Sequence, residues 1–562
     1  MTPELGGGCA SESDRVLIGA ILADALGSPA ARAGAWSVRH GPVLGSVPLV
    51  GRHSVPTPSL PSSLLARSGD VAKLLATRSA HASPSRPSAR KPRARFSTSL
   101  HPNTLTRHAH LSYTIQAMNI TARSIAARTL AMLCLALAAT RANAQACGTI
   151  QDLGNLGSGS YEATAMSADG EVVIGRYTLG GNLWLAFRWT EATGMQDISM
   201  PWGDTWATAI SSDGSTIVGY GKNHLQLDRA FRWTQATGRQ DLGTLGGSTA
   251  NALAVSADGS VIVGYAANFD GQPRAFRWTS ATGLQDLGTL GGSESRAIAV
   301  SADGSVIAGW AYDSADRQRL FRWIASEGLQ DLGGSENQAD QCVPLALSDD
   351  GTTIVGYTSS SNLQLAFRWN ADNGLQNLGS LGGRESIACD VSADGSVVSG
   401  YARDDLTRSW GYTWTSQSGM QSFAGPLGAE TIHEAVRLSR DGSVAVGFGN
   451  GPYNSWGFRW NRRGGALKLI GQDWEARSAN AASSNGGVVV GRAARWWGGP
   501  EIAFRWIKNP ADVNGDGFLN GDDFDQFAEA FETGDPSGDF NHDGFVNGDD
   551  YDGFAEAFEA GC

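Results

Sequence analysis

The sequence predicts an all-β protein, an eight-bladed β-propeller, followed by a small α-helical domain. Three observations predict this architecture. A segment recurs eight times at steps of 44 to 46 residues, each copy carries a tight Asp-Gly or Asn-Gly turn, and two acidic twelve-residue patterns lie at the C-terminal end. Glycine is abundant, at 73 of 562 residues, and charged residues are few, at 17%, as expected for a body of many short strands and turns.

The tripeptide Phe-Arg-Trp marks the repeat. In residues 249–292, taken as one copy, Asp258-Gly259 separates two apolar runs, and an Asp-Gly turn between such runs predicts a β-hairpin. Each copy divides into four short strands, and four strands in about 45 residues are typical of a propeller blade. The tripeptide begins at Phe187, Phe231, Phe276, Phe321, Phe367, Phe458 and Phe504, with Tyr412-Thr413-Trp414 in the sixth copy.

A β-solenoid is the alternative architecture, and the order of the segments favours a closed ring. An outer segment of the type Gln-Asp-Leu-Gly follows the tripeptide in most copies. One such segment, 150–154, precedes the first tripeptide, and none follows the last tripeptide at Phe504. The N-terminal strand is therefore predicted to complete the last blade, whereas an open solenoid would need capping units instead.

The repeat also predicts side-chain roles. In four copies an Asp follows the Arg of the tripeptide by nine residues, as Asp197 follows Arg188, which predicts a cross-strand ion pair in the outer hairpin. Ring closure extends this prediction to Arg505 and Asp152; the alternative is that both residues simply face water. The Phe and Trp of the tripeptide are two residues apart, so they share one sheet face, which we expect to pack between blades.

The repeated string resembles a known family. The stretch from Ser256 to Gly292, which contains SADGSVIVGYA, RAFRWT and GLQDLGTLGG, is similar to the HAF repeat of extracellular bacterial proteins. The resemblance covers residues 148–508. It implies an extracellular setting and no particular chemistry.

Residues 509–562 contain 15 acidic residues and no Lys or Arg, and two segments match the pattern of a calcium-binding loop. Calcium prefers six to eight oxygen ligands, here side chains at positions 1, 3, 5, 9 and 12 and a backbone carbonyl at position 7. Two calcium sites are therefore predicted, and a solvated acidic tail is the alternative. The predicted ligands are Asp512, Asn514, Asp516, Phe518, Asn520 and Asp523 in the first loop, and Asp539, Asn541, Asp543, Phe545, Asn547 and Asp550 in the second.

Each loop is followed by an apolar stripe at helical spacing, which predicts a helix whose apolar face packs the two halves together. The stripes are Phe524, Phe527, Ala528 and Phe531, and Tyr551, Phe554, Ala555 and Phe558. Two EF-hand-like loops of this kind, each followed by one helix, resemble a type I dockerin over residues 511–560. The resemblance implies calcium-dependent folding and docking to a cohesin-like protein or cell-surface scaffold. The positions that the family uses for recognition hold Gly521-Asp522 and Gly548-Asp549 instead of the hydroxyl-bearing pair often found there.

Residues 1–144 are predicted not to belong to the mature protein. Residues 118–144 match a secretory signal peptide, with Arg123 and Arg128 before an uncharged run at 130–139 and Ala142-Asn143-Ala144 at its end. A run of ten is too short to span a bilayer, which needs about 20 residues, so we expect no membrane span. Residues 1–117, rich in Ser, Pro and Arg, are expected to be disordered and to reflect a mis-assigned start; a basic nucleic-acid-binding tail is the alternative.

The predicted secreted chain carries a net charge of −23, which argues against nucleic acid as a partner. Its four cysteines can pair in an oxidising compartment, and the sequence leaves the pattern open. They are Cys147, Cys342, Cys389 and Cys562.

Binding is favoured over catalysis. His224, His433 and His542 are the histidines of the secreted part, and no nucleophile motif accompanies them. We therefore expect a secreted calcium-binding interaction protein, with the propeller as a binding platform and a glycan as a further ligand. The alternative is a polysaccharide-degrading enzyme, of the glycoside hydrolase type, brought to an assembly by its dockerin-like domain. Tryptophans that break the repeat are candidates for stacking on sugars: Trp202, Trp206, Trp474, Trp496 and Trp497.

Overall fold

The structure, a computed structural model, describes residues 146–179, 183–334, 340–423, 432–450, 455–471, 473–496 and 498–562. The predicted extension at 1–117, the predicted signal peptide at 118–144 and Trp497 lie outside these residues. The described residues are mostly β-strand, with two α-helices near the C-terminus. Neither helix has the length and apolar content that crossing a bilayer requires.

The described residues contain 32 strands. In chain order, β1 to β32 are Gly148–Asp152, Tyr161–Met166, Val172–Thr178, Trp184–Thr190, Gly194–Asp197, Thr205–Ile210, Thr216–Lys222, Asp228–Thr234, Gly238–Asp241, Gly246–Val255, Ile262–Asn268, Pro273–Thr279, Gly283–Asp286, Gly291–Val300, Val306–Asp313, Gln318–Ile324, Gly328–Gly334, Gln341–Leu347, Thr353–Ser360, Leu363–Asn370, Gly374–Gly379, Gly382–Val391, Val398–Asp404, Ser409–Thr415, Gly419–Ser422, Ile432–Leu438, Val444–Asn450, Ser455–Asn461, Gly465–Lys468, Trp474–Ala482, Val488–Arg495 and Ile502–Lys508.

The strands pair in antiparallel sets of four, which we call groups 1 to 8. Groups 1 to 7 are consecutive runs of four strands, from β2–β5 to β26–β29. Groups 5 and 6 are joined by one parallel bridge between Gln364 and Glu385. Group 8 has the order β1-β32-β31-β30, so the first strand of the chain pairs with the last. The prediction that the N-terminal strand completes the last set of strands agrees with this pairing.

The repeated Asp-Gly dipeptide forms the turn between the first and second strands of a group. In group 1 the hydroxyl of Ser167, which is buried, donates to Asp169 Oδ1 at 2.5 Å, and the Glu171 N–H donates to the same oxygen at 2.9 Å. Gly170 follows with φ of 78°, a conformation that favours glycine. The repeated aspartates are therefore structural.

These turns also connect the groups to one another. A backbone N–H in each turn donates to a carbonyl in the turn of the next group, at 2.8 to 3.3 Å, and the eighth turn donates back to the first. The described residues thus contain a closed cycle of eight hydrogen bonds. The donor and acceptor pairs are Ala168 and Ser212, Ser212 and Ala257, Ala257 and Ala302, Ala302 and Asp349, Asp350 and Ala393, Ala393 and Arg440, Asp441 and Ser484, and Ser484 and Ala168.

The apolar core lies between neighbouring groups, as expected for the tripeptide face. Phe187 is fully buried and shares a cluster with Val490 and Ala503 of group 8, and Phe276 of group 3 shares one with Val218 of group 2. Burial of such aromatic area is a major source of stability in a β-rich body.

The predicted ion pair between the tripeptide Arg and the Asp nine residues later is wrong. The register places Asp197 opposite Phe187, and Gln196 opposite Arg188. A shift of one residue sends a side chain to the other sheet face, so Arg and Asp cannot meet. Likewise Arg505 lies opposite Gln151 and forms an ion pair with Glu171 at 2.5 Å.

The two side chains have other roles. Asp152 Oδ1 accepts from the Gly154 N–H at 2.9 Å and closes a turn, and Asp241 does the same with Gly243. The arginines instead lie over the tryptophan of the next group. The pairs are Arg188 and Trp233, Arg277 and Trp323, Arg322 and Trp369, Arg368 and Trp414, Arg459 and Trp506, and Arg505 and Trp189, at 5.4 to 5.9 Å from the ring centroid.

Candidate metal centre

The two helices of the tail begin where the acidic patterns end. Helix α1 spans Gly521–Thr533 and helix α2 spans Gly548–Ala560, with a short 3₁₀ turn at Pro536–Gly538 between them. Asn520 and Asn547 are the N-caps, and in each helix the N-cap and the Asp three residues later form a capping box. The last acidic residue of each pattern is therefore fixed by the first turn of its helix.

The apolar stripes pack the two halves together, as expected. The rings of Phe527 and Phe554 stack with centroids 4.1 Å apart, and both side chains are buried. Phe524, Phe531 and Phe558 pack around this pair. This small core holds the helices side by side, so it fixes where the two loops lie.

The first loop brings three carboxylates together. One oxygen each of Asp512, Asp516 and Asp523 lies within 4.8 Å of the others. Asp512 Oδ2 accepts from the Gly517 N–H at 3.1 Å, whereas Asp512 Oδ1 is buried and has no hydrogen-bond partner. A buried acceptor without a partner is costly, and these three carboxylates could hold a cation that would satisfy it.

Burial dominates the electrostatics of this loop. It raises the pKa of the Asp512 carboxyl to about 6, although the nearby Lys508 ammonium opposes the rise. Burial also raises the pKa of Asp523. Bringing carboxylates together in a buried site disfavours their charged forms, and a bound divalent cation would compensate for this.

The other predicted ligands of the first loop lie around the carboxylates. Asn514 Oδ1 accepts from the Asp516 N–H at 2.8 Å, and Phe518 donates its N–H to Asp516 Oδ1 at 2.8 Å. Asn520 Oδ1 caps helix α1 by accepting from the Asp522 N–H at 2.8 Å. The side chain of Asn520 is thus already hydrogen-bonded.

The second loop repeats much of this pattern, but apart from the buried Asp550 its residues are half-buried or exposed. Asp539 accepts with both oxygens, from Asp543 at 3.1 Å and from Gly544 at 2.9 Å, so no oxygen is left without a partner. Asp550 accepts from Asn541 at 3.0 Å. In the described part of the chain only the first loop forms a compact group of three acids.

The remaining predicted ligands of the second loop are Phe545 and Asn547. Asn547 Oδ1 caps helix α2 through the Asp549 N–H at 2.9 Å. Phe545 is 72% exposed, whereas its counterpart Phe518 packs on the apolar core between groups 7 and 8. The two loops are therefore alike in sequence and unlike in surroundings.

The residues present fit calcium. Both loops offer only oxygen donors, from carboxylates, amides and backbone carbonyls, as a hard cation requires. The orphaned Asp512 oxygen makes the fit most direct in the first loop. When bound, a calcium ion would supply positive charge that holds these carboxylates together; the protein residues supply the loop geometry and its burial.

The four cysteines of the described residues form one disulfide and leave two free thiols. Cys147, just before β1, and Cys562, at the end of the sequence, form a disulfide across 415 residues. Cys342 and Cys389 are buried free thiols, and burial raises their pKa values to about 12 and about 11. Sequence reasoning left this pairing open, because four cysteines allow three patterns.

A second region of interest is the end of the body opposite the Asp-Gly turns. Of the eleven exposed large apolar side chains among the described residues, seven lie in the turns between second and third strands or in the connection between groups 1 and 2, and an eighth, Leu363, begins the third strand of group 5. Antiparallel order places these segments at one end. They are Leu179, Leu183, Trp202, Leu225, Phe269, Leu363, Leu406 and Trp496.

The candidate tryptophans divide into two kinds at this end. Trp202 is 53% and Trp496 is 49% exposed, so both could stack on a ligand. Trp206 instead shares the Arg176 guanidinium with another indole, and Trp474 lies under Arg495 at 4.8 Å. The Trp202 and His224 rings meet edge-on, with their centroids 6.0 Å apart.

No protein-family model and no curated protein matches this chain. Among solved structures, a prolyl endopeptidase is similar at 12% identity and TM-score 0.42; the match covers 60% of this chain and 55% of that one. A dipeptidyl peptidase 4 from Porphyromonas gingivalis is similar at 10% identity and TM-score 0.41, covering 63% of this chain and 60% of that one. TolB from Acinetobacter baumannii is similar at 12% identity and TM-score 0.30, covering 57% and 80%. This chain thus spans little more than half of the endopeptidase, and similarities at this level carry no functional conclusion.

Proposed function

We propose that the chain is a secreted calcium-binding interaction protein. Its tail binds two calcium ions, one in each loop, and docks in a calcium-dependent manner to a cohesin-like protein or cell-surface scaffold. The observation that carries the proposal is the buried, unpartnered Asp512 oxygen beside Asp516 and Asp523. The outward-facing second loop and the exposed Gly521-Asp522 and Gly548-Asp549 pairs support a surface role.

The body is proposed to be an eight-bladed propeller that serves as a binding platform. The eight four-strand groups, the pairing of β1 with β32 and the closed cycle of turn hydrogen bonds support a ring rather than an open solenoid. Its platform would be the end that carries most of the exposed large apolar side chains, because apolar surface exposed there is available for contact with a ligand or partner.

Calorimetric titration of the full chain with calcium tests the tail. We expect two bound ions, and we expect Asp512→Ala and Asp539→Ala each to remove one of them. Asp522→Ala is the matched control, since Asp522 is an exposed acid of the same tail that is not a predicted ligand. Absence of calcium binding by the unaltered protein would overturn the proposed function.

Docking has its own test. We expect an immobilised type I cohesin module to retain the full chain in calcium and to release it in chelator. If calcium binds but the module does not retain the protein, the tail is a calcium module with another partner, and the cohesin assignment is wrong.

The second candidate function, polysaccharide degradation, is favoured by one observation, the exposure of Trp202, Phe269 and Trp496 at one end of the body. Aromatic faces of this kind stack on sugars. A glycan array followed by a hydrolysis assay on each bound glycan separates the two candidates. Binding without turnover supports a platform, whereas turnover would make the protein an enzyme.

A further inference from the structure

Group 7 departs from the repeat where it faces the first loop. In seven groups the residue opposite the tripeptide Arg, or opposite the Thr that replaces it, is a glutamine. In group 7 it is Leu467, and Lys468 replaces the following acidic or polar residue. The glutamines are Gln151, Gln196, Gln240, Gln285, Gln330, Gln376 and Gln421.

Three residues of group 7 contact the loop, and one of them is the exceptional Leu467. Asn461 Nδ2 donates to the Gly515 carbonyl at 2.8 Å, and Arg463 Nη1 donates to the Asn514 carbonyl at 2.9 Å. A Cβ placed on Gly517 would come 2.7 Å from Leu467 Cδ1, so Leu467 packs closely on the loop backbone. Group 7 therefore holds the backbone that carries Asp512 and Asp516.

Close approach is also visible at Gly464, in the outer turn of group 7. A Cβ at this position would lie 1.8 Å from the Asp516 carbonyl oxygen. Only glycine allows the loop to come so near. The turn and the loop are thus fitted to each other.

The start of β1 holds the loop from the other side. The Cys147 N–H donates to the Gly517 carbonyl at 2.8 Å, and Asn509 donates its N–H to the Cys147 carbonyl at 3.2 Å. The Asn509 side chain donates to the carbonyls of Ala557 and Gly561, beside the disulfide-bonded Cys562. The strand that closes group 8 is therefore tied to the same loop.

Two cations of the body face the acidic loop. Arg459 is 3% exposed, and its Nη1 has no hydrogen-bond partner. Lys508 donates from Nζ to the Asp512 carbonyl. Both cations offset part of the negative charge of the loop, so the body favours calcium through the position that it gives the loop backbone and not through these charges. The second loop has no such hydrogen bonds from the body among the described residues, and its Asp543 and Phe545 are exposed.

We infer that the first loop is a composite calcium site, completed by group 7 and β1, whose ion locks the tail onto the repeat body. The second loop is then an independent, weaker site. This inference rests on the proposed function, because it requires the loops to bind calcium. Its new content is that body residues more than 40 positions away in sequence set the calcium affinity of one loop.

The test is calcium titration of the full chain with changes in the body alone. We expect Asn461→Ala, Arg463→Ala and Leu467→Gln each to weaken one site by about tenfold or more, the size found for residues that orient metal ligands, and to leave the other site unchanged. Each body change is also combined with Asp539→Ala, which is expected to lack the second site. A weaker affinity in these double variants then shows that the first site is the one affected. Arg463 is exposed, so Arg463→Ala should fold normally.

Asn370→Ala is the matched control. Asn370 is the counterpart of Asn461 in group 5, and its Oδ1 likewise caps the following turn, at 3.0 Å from the Asn373 nitrogen. We expect it to leave both sites unchanged. If the protein binds two calcium ions and the three group 7 variants bind them as tightly as the unaltered chain, the composite site is overturned and the proposed function stands.

Discussion

The guanidinium of Arg505 lies over the indole of Trp189, with Cζ 5.7 Å from the ring centroid. Arg505 belongs to the last strand of the body and Trp189 to group 1, so this contact joins the two ends of the repeat. This distance is similar to those of the equivalent contacts between consecutive groups, which are 5.5 Å for Arg188 and Trp233 and 5.4 Å for Arg322 and Trp369. The ends therefore meet as neighbouring groups do.

Loss of this contact should destabilise the body. Arg505 is 8% exposed in its side chain and also pairs with Glu171. We expect Arg505→Ala to lower the free energy of unfolding by about 1–2 kcal/mol, since a partly desolvated cation–π contact and a charged hydrogen bond are removed. Chemical denaturation measures this. The control is Arg462→Ala, at an exposed arginine, which should change stability little.

Chelation should expose the disulfide between Cys147 and Cys562. Because the Gly517 carbonyl of the first loop holds the Cys147 N–H, a loop without its ion should release this part of the chain. We expect a mild reductant to cleave the disulfide faster in chelator than in calcium, as followed by alkylation and mass spectrometry. Equal rates of cleavage in the two conditions would mean that the loop does not limit access of the reductant to the disulfide.

The two free thiols should be inert in the folded protein. Thiolates are the reactive form, and the pKa values of about 12 for Cys342 and about 11 for Cys389 keep both thiols neutral at about pH 8. We expect iodoacetamide to modify neither cysteine until denaturant is added. Peptide mapping distinguishes them from Cys147 and Cys562, which should react only after reduction.

Gly464 gives a test of how the tail packs on the body. We expect Gly464→Ala to cost about 1–3 kcal/mol, the usual range for overpacking, because its Cβ would overlap the Asp516 carbonyl. Gly521→Ala is the control, since a Cβ there meets nothing within 4 Å. Thermal unfolding in calcium compares the two. Equal melting temperatures would show that the turn and the loop can separate freely.

The features that could be predicted from the sequence are those that a repeated or periodic pattern marks. The Asp-Gly turns mark hairpins, and the position of the segment at 150–154 before the first tripeptide is enough to predict the pairing of β1 with β32. Both helices could be predicted because apolar residues recur every three or four positions along each of them, as at Phe524, Phe527 and Phe531 in α1. These are local or periodic signals.

What the sequence did not predict depends on register and on contacts distant in the chain. The nine-residue spacing between Arg188 and Asp197 does not fix the register of the outer hairpin, in which Gln196 and not Asp197 lies opposite Arg188. A difference of one residue in register places a side chain on the other face of the sheet. Lys468, at a position where the other copies have an acidic or polar residue, distinguishes group 7 in the sequence without indicating what that group contacts. Its group contacts the tail through Asn461 and Arg463, about 50 residues before their partners.

A crystal structure of the full chain grown with calcium, with anomalous data to place the ions, tests the central claim most directly. We expect an ion bound by Asp512, Asp516 and Asp523 in a loop that packs on group 7, with β1 paired to β32 in a ring of eight groups. An empty first loop, or a first strand paired elsewhere in an open array of sheets, would contradict it.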